Sequence, residues 1–336
     1  MTMIETPGAL TETPPVAGER HHQAALLADV LSHIRLSGAL FLRGHFTRQW
    51  VLESPGSCDL VDLLSPGAER LIAFHIVRSG RLWVTANDHR IELEAGDLAV
   101  LPHAHHHYMG VQGADALAHI STLLPPPPWS DIPHVVMDGD GDAADIVCGY
   151  FRCDELLFNS FLRRLPPVFA VRPDGRARAL LDAAIDYAME DGSRSGGRTA
   201  MAHVTEMLFS ETLRLYTAQE QNPTGWLAAT ADAVVSRALK AMHDDPARDW
   251  SADELARQAN SSRSVLGERF KALLGQSPIR YLVEWRMQIA AELLRTTALK
   301  LADVAERSGY GSEAAFSRAF HRHLGVSPAQ WREGAR

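Results

Sequence analysis

From about residue 38 to 124 the apolar positions fall in short runs punctuated by Gly, Pro, Asn and Asp. Residues 71–77, 81–85, 90–93 and 98–101 predict strands, with turn signals at Ser79-Gly80, Asn87-Asp88 and Gly96-Asp97. Strands this short and closely spaced predict a small sandwich or barrel. Before them, Leu26, Leu27, Val30, Leu31 and Ile34 lie at helical spacing and predict a helix over 26–36. After them comes a stiff Pro125–Pro128 run, an acidic Gly-rich turn over 138–145 and a last strand over 146–151. Two helices follow over 176–190 and 199–217, carried by Leu180, Leu181, Ala184 and Ile185, then by Val204, Met207, Leu208 and Leu213. A loop over 192–197 separates them, and 219–225 reads as a linker.

The last hundred residues contain a repeat. Phe270-x3-Leu274-Gly275-x-Ser277-Pro278-x2-Tyr281 recurs as Phe320-x3-Leu324-Gly325-x-Ser327-Pro328-x2-Trp331, 50 residues later at every matched position. Each copy reads as two short helices around a tight turn. In the first, Ser251 and Glu254 form a capping box, Asn260-Ser261 breaks the helix and Ser262 caps the next. That second helix is expected to bury Val265, Leu266, Phe270 and Leu273/Leu274 and to end at Gly275. In the second copy a helix over 301–307 is followed by a turn at Gly309-Tyr310-Gly311, a cap at Ser312 and a helix over 313–323. A long helix over 279–296 holds the copies apart.

Charge changes the picture once it is divided. The 336 residues hold 33 Lys+Arg and 41 Asp+Glu, a net of −8, which argues against a nucleic-acid partner. Residues 232–336 alone hold 16 and 13, a net of +3, and the rest carries −11. The total hides a mildly basic segment behind an acidic one. The length suggests about two domains, and 46% hydrophobic residues can fill their cores. No run of about 18 uncharged apolar residues predicts a membrane span. Residues 1–19 lack the apolar core of a signal peptide and read as a disordered lead-in. Three cysteines, Cys58, Cys148 and Cys153, form no disulfide framework, so the expected location is the cytoplasm.

The C-terminal residues Arg286-Met-x-x-Ala290, Leu293-Leu294, Ala305, Gly309-Tyr310-x-Ser312, Phe316-Ser-Arg-x-Phe320 and Gly325-x-Ser327-Pro328-x2-Trp331 resemble the AraC/XylS family of transcription regulators. The resemblance implies an all-α double helix-turn-helix domain that sets one recognition helix into each of two major-groove segments about 34 Å apart. Its implied partners are promoter DNA, RNA polymerase and a second copy of the chain. Arg263, Ser264, Gly267 and Glu268 are expected to face outward on the first recognition helix, and Glu313, Ala314, Ser317 and Arg318 on the second. Arg318 is the expected reader of a base edge, because a guanidinium pairs bidentately with guanine. Arg263, Arg269, Lys271 and Arg322 are expected at phosphates. Gly267-Glu268 departs from the family, which usually has a polar residue and an Arg there. Glu268 can accept from a cytosine amine but repels phosphate.

Gly96-Asp-Leu-Ala-Val-Leu-Pro102-x-Ala104-x2-His107 resembles the second motif of cupin barrels, and Phe74-His75 stands where the first ends. The fold expected is therefore α+β, with a cupin-like sensor over 21–170, a helical dimerisation or linker region over 171–222 and a DNA-binding domain over 228–336. His75, Trp83 and His107 are candidates for an effector pocket, with Trp50 and Phe74 beside them. The His-x-His of cupin metalloenzymes is missing, so no cofactor and no enzymatic activity are expected. A metal would fall to His75 and His107, with Glu69 third, or to the cluster from His103 to His107. That cluster reads first as the polar rim of a barrel mouth. Cys148 and Cys153 could form a redox switch or be small buried hydrophobes. A cupin metalloenzyme and a protein-interaction module are the readings from other classes.

Overall fold

The computed structural model describes residues 26, 36–47, 49–64, 68, 70–113, 117–125, 129, 132–153, 165–191, 197–219 and 225–334. Residues 1–20, most of the expected 26–36 helix, Glu69, and most of the 192–197 loop and the linker lie outside them. Leu26 is helical and buried. Leu36, expected to end that helix, opens a strand, because its backbone pairs with Cys153 across a ladder.

Eleven described strands form two sheets. One has the order β11(Phe169–Val171), β6(Leu98–Leu101), β3(Arg70–Ser79), β10(Ala144–Cys153), β1(Leu36–Phe46), β9(His134–Met137). The other runs β5(His89–Glu94), β4(Arg81–Ala86), β7(His107–Gly110), β2(Val51–Ser54), β8(Leu117–His119). All four strands expected before residue 124 are present within a few residues. The strand over 146–151 is longer and is not the last, since β11 follows.

Alternation along the strands explains where the cores sit. In β3, Leu71, Ala73 and Val77 point between the sheets, where they meet Leu42, Leu82, Val84, Leu101, Met109 and Ile146. Ile72, Phe74 and Ile76 point to the other face. There α3(Gly175–Asp191) and α4(Gly197–Gln219) cover the sheet with Leu181, Ile185, Leu208, Phe209 and Leu213. A strand buried on both faces reads as a near-continuous apolar run, as residues 71–77 do apart from His75. Arg78 ties β3 to α3 through Asp182 and Asp186, each at 2.9 Å. Two short helices, α1(Ser57–Leu64) and α2(Ile120–Leu123), complete the barrel.

The C-terminal part is α5(Gly225–Ala231), α6(Val235–Asp244), α7(Ala252–Gln258), α8(Arg263–Leu274), α9(Pro278–Thr296), α10(Leu301–Arg307), α11(Glu313–Leu324) and α12(Pro328–Gly334). The capping box is formed: the Glu254 amide donates to Ser251 Oγ and the Ser251 amide to Glu254 Oε2. Ser262 and Ser312 accept from Val265 and Ala315, so both recognition helices start on the same device. Both end on a left-handed glycine, Gly275 at φ 73° and Gly325 at φ 72°. Ser262→Ala or Ser312→Ala should each cost about 1 kcal/mol, readable as a lower urea midpoint at unchanged slope.

Two cores hold this part. Leu255, Ala256, Leu266, Phe270 and Leu274 of the first unit continue through Trp226 and Leu227 into the apolar cluster of α3 and α4. Met287, Ala290, Ala291, Leu294, Val304, Ala305, Phe316 and Phe320 form a separate cluster in the second unit.

Candidate nucleic-acid interface and barrel interior

Helix α8 buries Leu266, Phe270 and Leu274, and α11 buries Phe316 and Phe320. Opposite those stripes, α8 shows Ser264, Glu268, Lys271 and Ala272, and α11 shows Ala314, Arg318, His321 and Arg322. Glu313 and Arg263 are exposed at the first turns, while Gly267 and Ser317 are half-buried at the flanks. Val265, expected in the core, is 39% exposed. It lies a full helical step from Leu266, and the buried stripe is too narrow to include it.

The two faces differ in chemistry. On α8, Arg269 is tied to Asp232 at 2.7 Å and Arg263 lies 3.4 Å from Asp253. Ser264 Oγ donates to Glu268 at 3.1 Å. The expected phosphate contacts Arg263 and Arg269 are thus already matched to carboxylates, while Lys271 is exposed. On α11, Arg318 and Arg322 are exposed beside His321 and His323. Cation density therefore concentrates on the second unit.

The strand registers bring together three polar groups that the sequence leaves far apart. His75 pairs opposite Cys148 across β3 and β10, and both face the interior with His107 of β7. His75 Nδ1 lies 2.9 Å from Cys148 Sγ, and its Nε2 lies 2.8 Å from His107 Nε2. His107 Nδ1 lies 2.9 Å from the His105 carbonyl. A carbonyl only accepts, so His107 Nδ1 holds its proton and its Nε2 is bare. His75 Nε2 must then donate to it, which leaves Nδ1 to accept from the Cys148 thiol. This arrangement satisfies every contact with both imidazoles neutral. Burial enforces this: it holds His75 well below the usual imidazole value and His107 at about 4. Burial also raises the Cys148 thiol.

Several expected groupings are corrected here. Trp83 does not join His75 and His107, because alternation in β4 turns Leu82 and Val84 inward and Trp83 outward. It lines an open groove of about 810 Å³ with Gln49, Arg81, Glu92, Glu94 and Arg172, under the guanidinium of Arg90 at 4.4 Å. Trp50 is fully buried core. The run from His103 to His107 does not act as one cluster. His107 enters the barrel, His105 faces Asn87, His103 reaches the Leu165 carbonyl, and His106 bonds Glu53 at 2.6 Å. Among the described residues no three His, Cys, Asp or Glu side chains are grouped to hold a metal. Cys148 and Cys153 share β10 five residues apart, about 16 Å along an extended strand. That exceeds the reach of a disulfide.

Sequence reasoning missed a surface group on the second sheet. Glu53 binds His106 and His119, each at 2.6 Å, with Tyr108 alongside. The His106 hydrogen bond chiefly holds its carboxyl below the ordinary value. The outward phase of β2 is the signal that places Glu53 there. Arg286 opens the Arg286-Met-x-x-Ala290 motif, which by itself gives the residue no role. Its guanidinium is half-buried against main-chain carbonyls between the two units.

The cupin family profile matches residues 25–218, and a helix-turn-helix domain profile matches residues 255–334. An AraC-like transcription regulator of Streptomyces lividans is 35% identical over 282 residues, covering 79% of this chain and 88% of the relative. The chain belongs to the AraC-type transcription regulators. A second AraC-like regulator, from Streptomyces antibioticus, is 38% identical over 199 residues, 58% of this chain and 65% of the relative. Among solved structures, the AdpA DNA-binding domain in complex with a target DNA is 31% identical. It covers 31% of this chain and 94% of that one, with a TM-score of 0.30. By its two family profiles and its 35% identical relative, this AraC-type regulator is a DNA-binding transcription regulator with a cupin domain before its helix-turn-helix domain. Both of these relatives are named as transcription regulators. Among the described residues no helix is long and apolar enough to cross a membrane.

Proposed function

We propose that the chain is a one-component regulator whose cupin half receives a small-molecule effector or a second copy of the chain, and whose two recognition helices read adjacent major-groove segments of a promoter. The observation that carries this reading is the uninterrupted apolar cluster from Ile72 and Phe74 through Phe209, Tyr216 and Trp226 to Phe270. A change at the barrel's helices can shift the first recognition helix through packed side chains alone. An effector would act by its different affinity for two arrangements of the halves. RNA polymerase is the further partner this role requires for activation.

Within that role Arg318 reads a base edge, and Lys271 and Arg322 hold phosphates. Glu268, bridged to Ser264, leaves the first unit with the weaker grip. Selection of bound duplexes from a random library tests the whole reading, since it returns a sequence and a spacing together. Arg318→Ala should then lower affinity for the selected duplex about 10–100-fold and relax preference at one base pair. Lys271→Ala should instead weaken binding to all duplexes alike and reduce the salt slope by about one. Unchanged affinity in Arg318→Ala would remove that residue from the interface.

A further inference from the structure

We infer that Arg286 is the positioning residue that fixes the angle between the two recognition helices. The inference rests on the two-segment DNA reading above and adds a residue that touches no base or phosphate in it. The two units have separate cores. Helix α9 is shared between them: Trp285 packs in the first, and Met287, Ala290, Ala291 and Leu294 pack in the second. A shared helix sets the distance between two small cores. Their relative rotation about that helix needs a further contact.

Arg286 supplies one on each side. Its Nε donates to the Pro246 carbonyl and its Nη2 to the Arg248 carbonyl, both at 2.7 Å. Those carbonyls belong to the turn between α6 and α7, which leads into the first unit. Against the guanidinium, on the second unit, lies Gly309. A Cβ there would sit 2.7–2.8 Å from Cζ, Nε and Nη2, so nothing larger than glycine fits without displacing the group. Gly309 has φ +77°, a second reason for glycine. Tyr310 follows with its ring 5.9 Å from the guanidinium. Gly309-Tyr310 is the turn that delivers the chain to Ser312, the cap of α11. One planar group therefore touches the entrance of the first unit and the turn before the second recognition helix.

The chemistry suits a strut rather than an exposed ion pair. The hydrogen-bond acceptors are fixed main-chain carbonyls. A guanidinium can span two of them in its own plane while its flat face packs on Gly309. A lysine ammonium is a point donor that cannot do both.

The test uses the full-length chain and a duplex selected by it from a random pool. Affinities are measured on that duplex and on versions with one base pair inserted or removed between the two segments. One base pair moves a segment by about 3.4 Å and turns it by about 35°. The wild type should lose about a hundredfold in affinity on either altered spacing, because only one helix then engages. Arg286→Lys and Arg286→Gln, confirmed folded by circular dichroism, should bind the original duplex about tenfold more weakly and lose less than about fivefold on altered spacing. Retention of the full spacing penalty in both variants, or an equal affinity loss on every duplex, would overturn the inference. So would a wild type indifferent to spacing. A wild type that selects no duplex would instead overturn the DNA reading beneath it.

Discussion

Phe316→Ala is expected to cost about 3–5 kcal/mol and to melt the second helix-turn-helix unit while the first stays folded. Phe316 is fully buried, with its ring 5.5 Å from that of Phe320 and 5.7 Å from that of Tyr310. The second core has eight buried residues, and two of them are these phenylalanines. Ala290, Ala291, Val304 and Ala305 among the others are small and held by their helices, so the space should close only in part and the cavity term should be large. The first unit does not depend on this cluster. Its Phe270 belongs to the larger core that runs on to α3 and α4. Amide hydrogen exchange checks the outcome by region. Protection should vanish over 301–324 and persist over 252–274. A uniform loss across both stretches would show that the units unfold together. Phe316→Leu should be milder, since it keeps most of the apolar volume.

The helical half of this result is legible in the sequence. Helix caps, breaks and apolar spacing are local, and Ser251, Ser262, Ser312, Gly275 and Gly325 stand where the chain needs them. The 50-residue offset duplicates the signal for the second helix of each unit, and the helix expected over 301–307 has those bounds, 49 residues after α7. Val265 falls outside the buried stripe, because spacing gives an apolar stripe but not its width. The barrel is less legible. Its strands 71–77 and 98–101 are apparent as apolar runs, yet β1, β2, β7, β8 and β9 are not. Their residues alternate weakly, and their partners lie far off in sequence, as in Arg43 of β1 opposite His134 of β9. Long-range pairing also decides the polar centre. Nothing near Cys148 announces His75, 73 residues away, and only the register of β3 with β10 sets one against the other. Conversely, the nearness of His103, His105, His106 and His107 in sequence predicts one cluster, but the turn between β6 and β7 sends them to different partners and only the His103 and His105 rings stay together, 5.1 Å apart. On α8, the Arg269–Asp232 pair joins residues 37 apart. Such pairs decide which cations are free to meet phosphate, and helical phase alone does not reveal them.

Acidification should destabilise the barrel through this same centre, by about 3 kcal/mol between pH 6.5 and pH 4 from His107 alone. Burial holds His107 at about 4 in the folded chain, against an ordinary value of 6.5. Between those limits the unfolded chain binds a proton that the folded chain excludes. Stability therefore falls as pH falls, by about 1.4 kcal/mol per pH unit for one such group. His75 is lowered too, first by its own burial and then by His107, and adds in the same direction. The depressed carboxyls of Asp145, held by Ser79 and His45, and of Glu53 also lose stability on acidification. Their contribution lies lower in pH, because carboxylates titrate below imidazole, and a variant separates the two. Replacing His75 and His107 together by Leu and Met removes both partners of the buried contact rather than orphaning one. Such paired apolar replacement should leave stability at pH 7 within about 1.5 kcal/mol of the wild type. Replacing His75 alone should be worse, since Cys148 and His107 would then lose their shared partner. Urea midpoints at several pH values between 7 and 4.5 provide the measurement. The wild type should lose stability steadily over that range, and the double variant should be nearly flat until the carboxylates titrate. A double variant with the wild-type slope would place the pH dependence elsewhere in the fold.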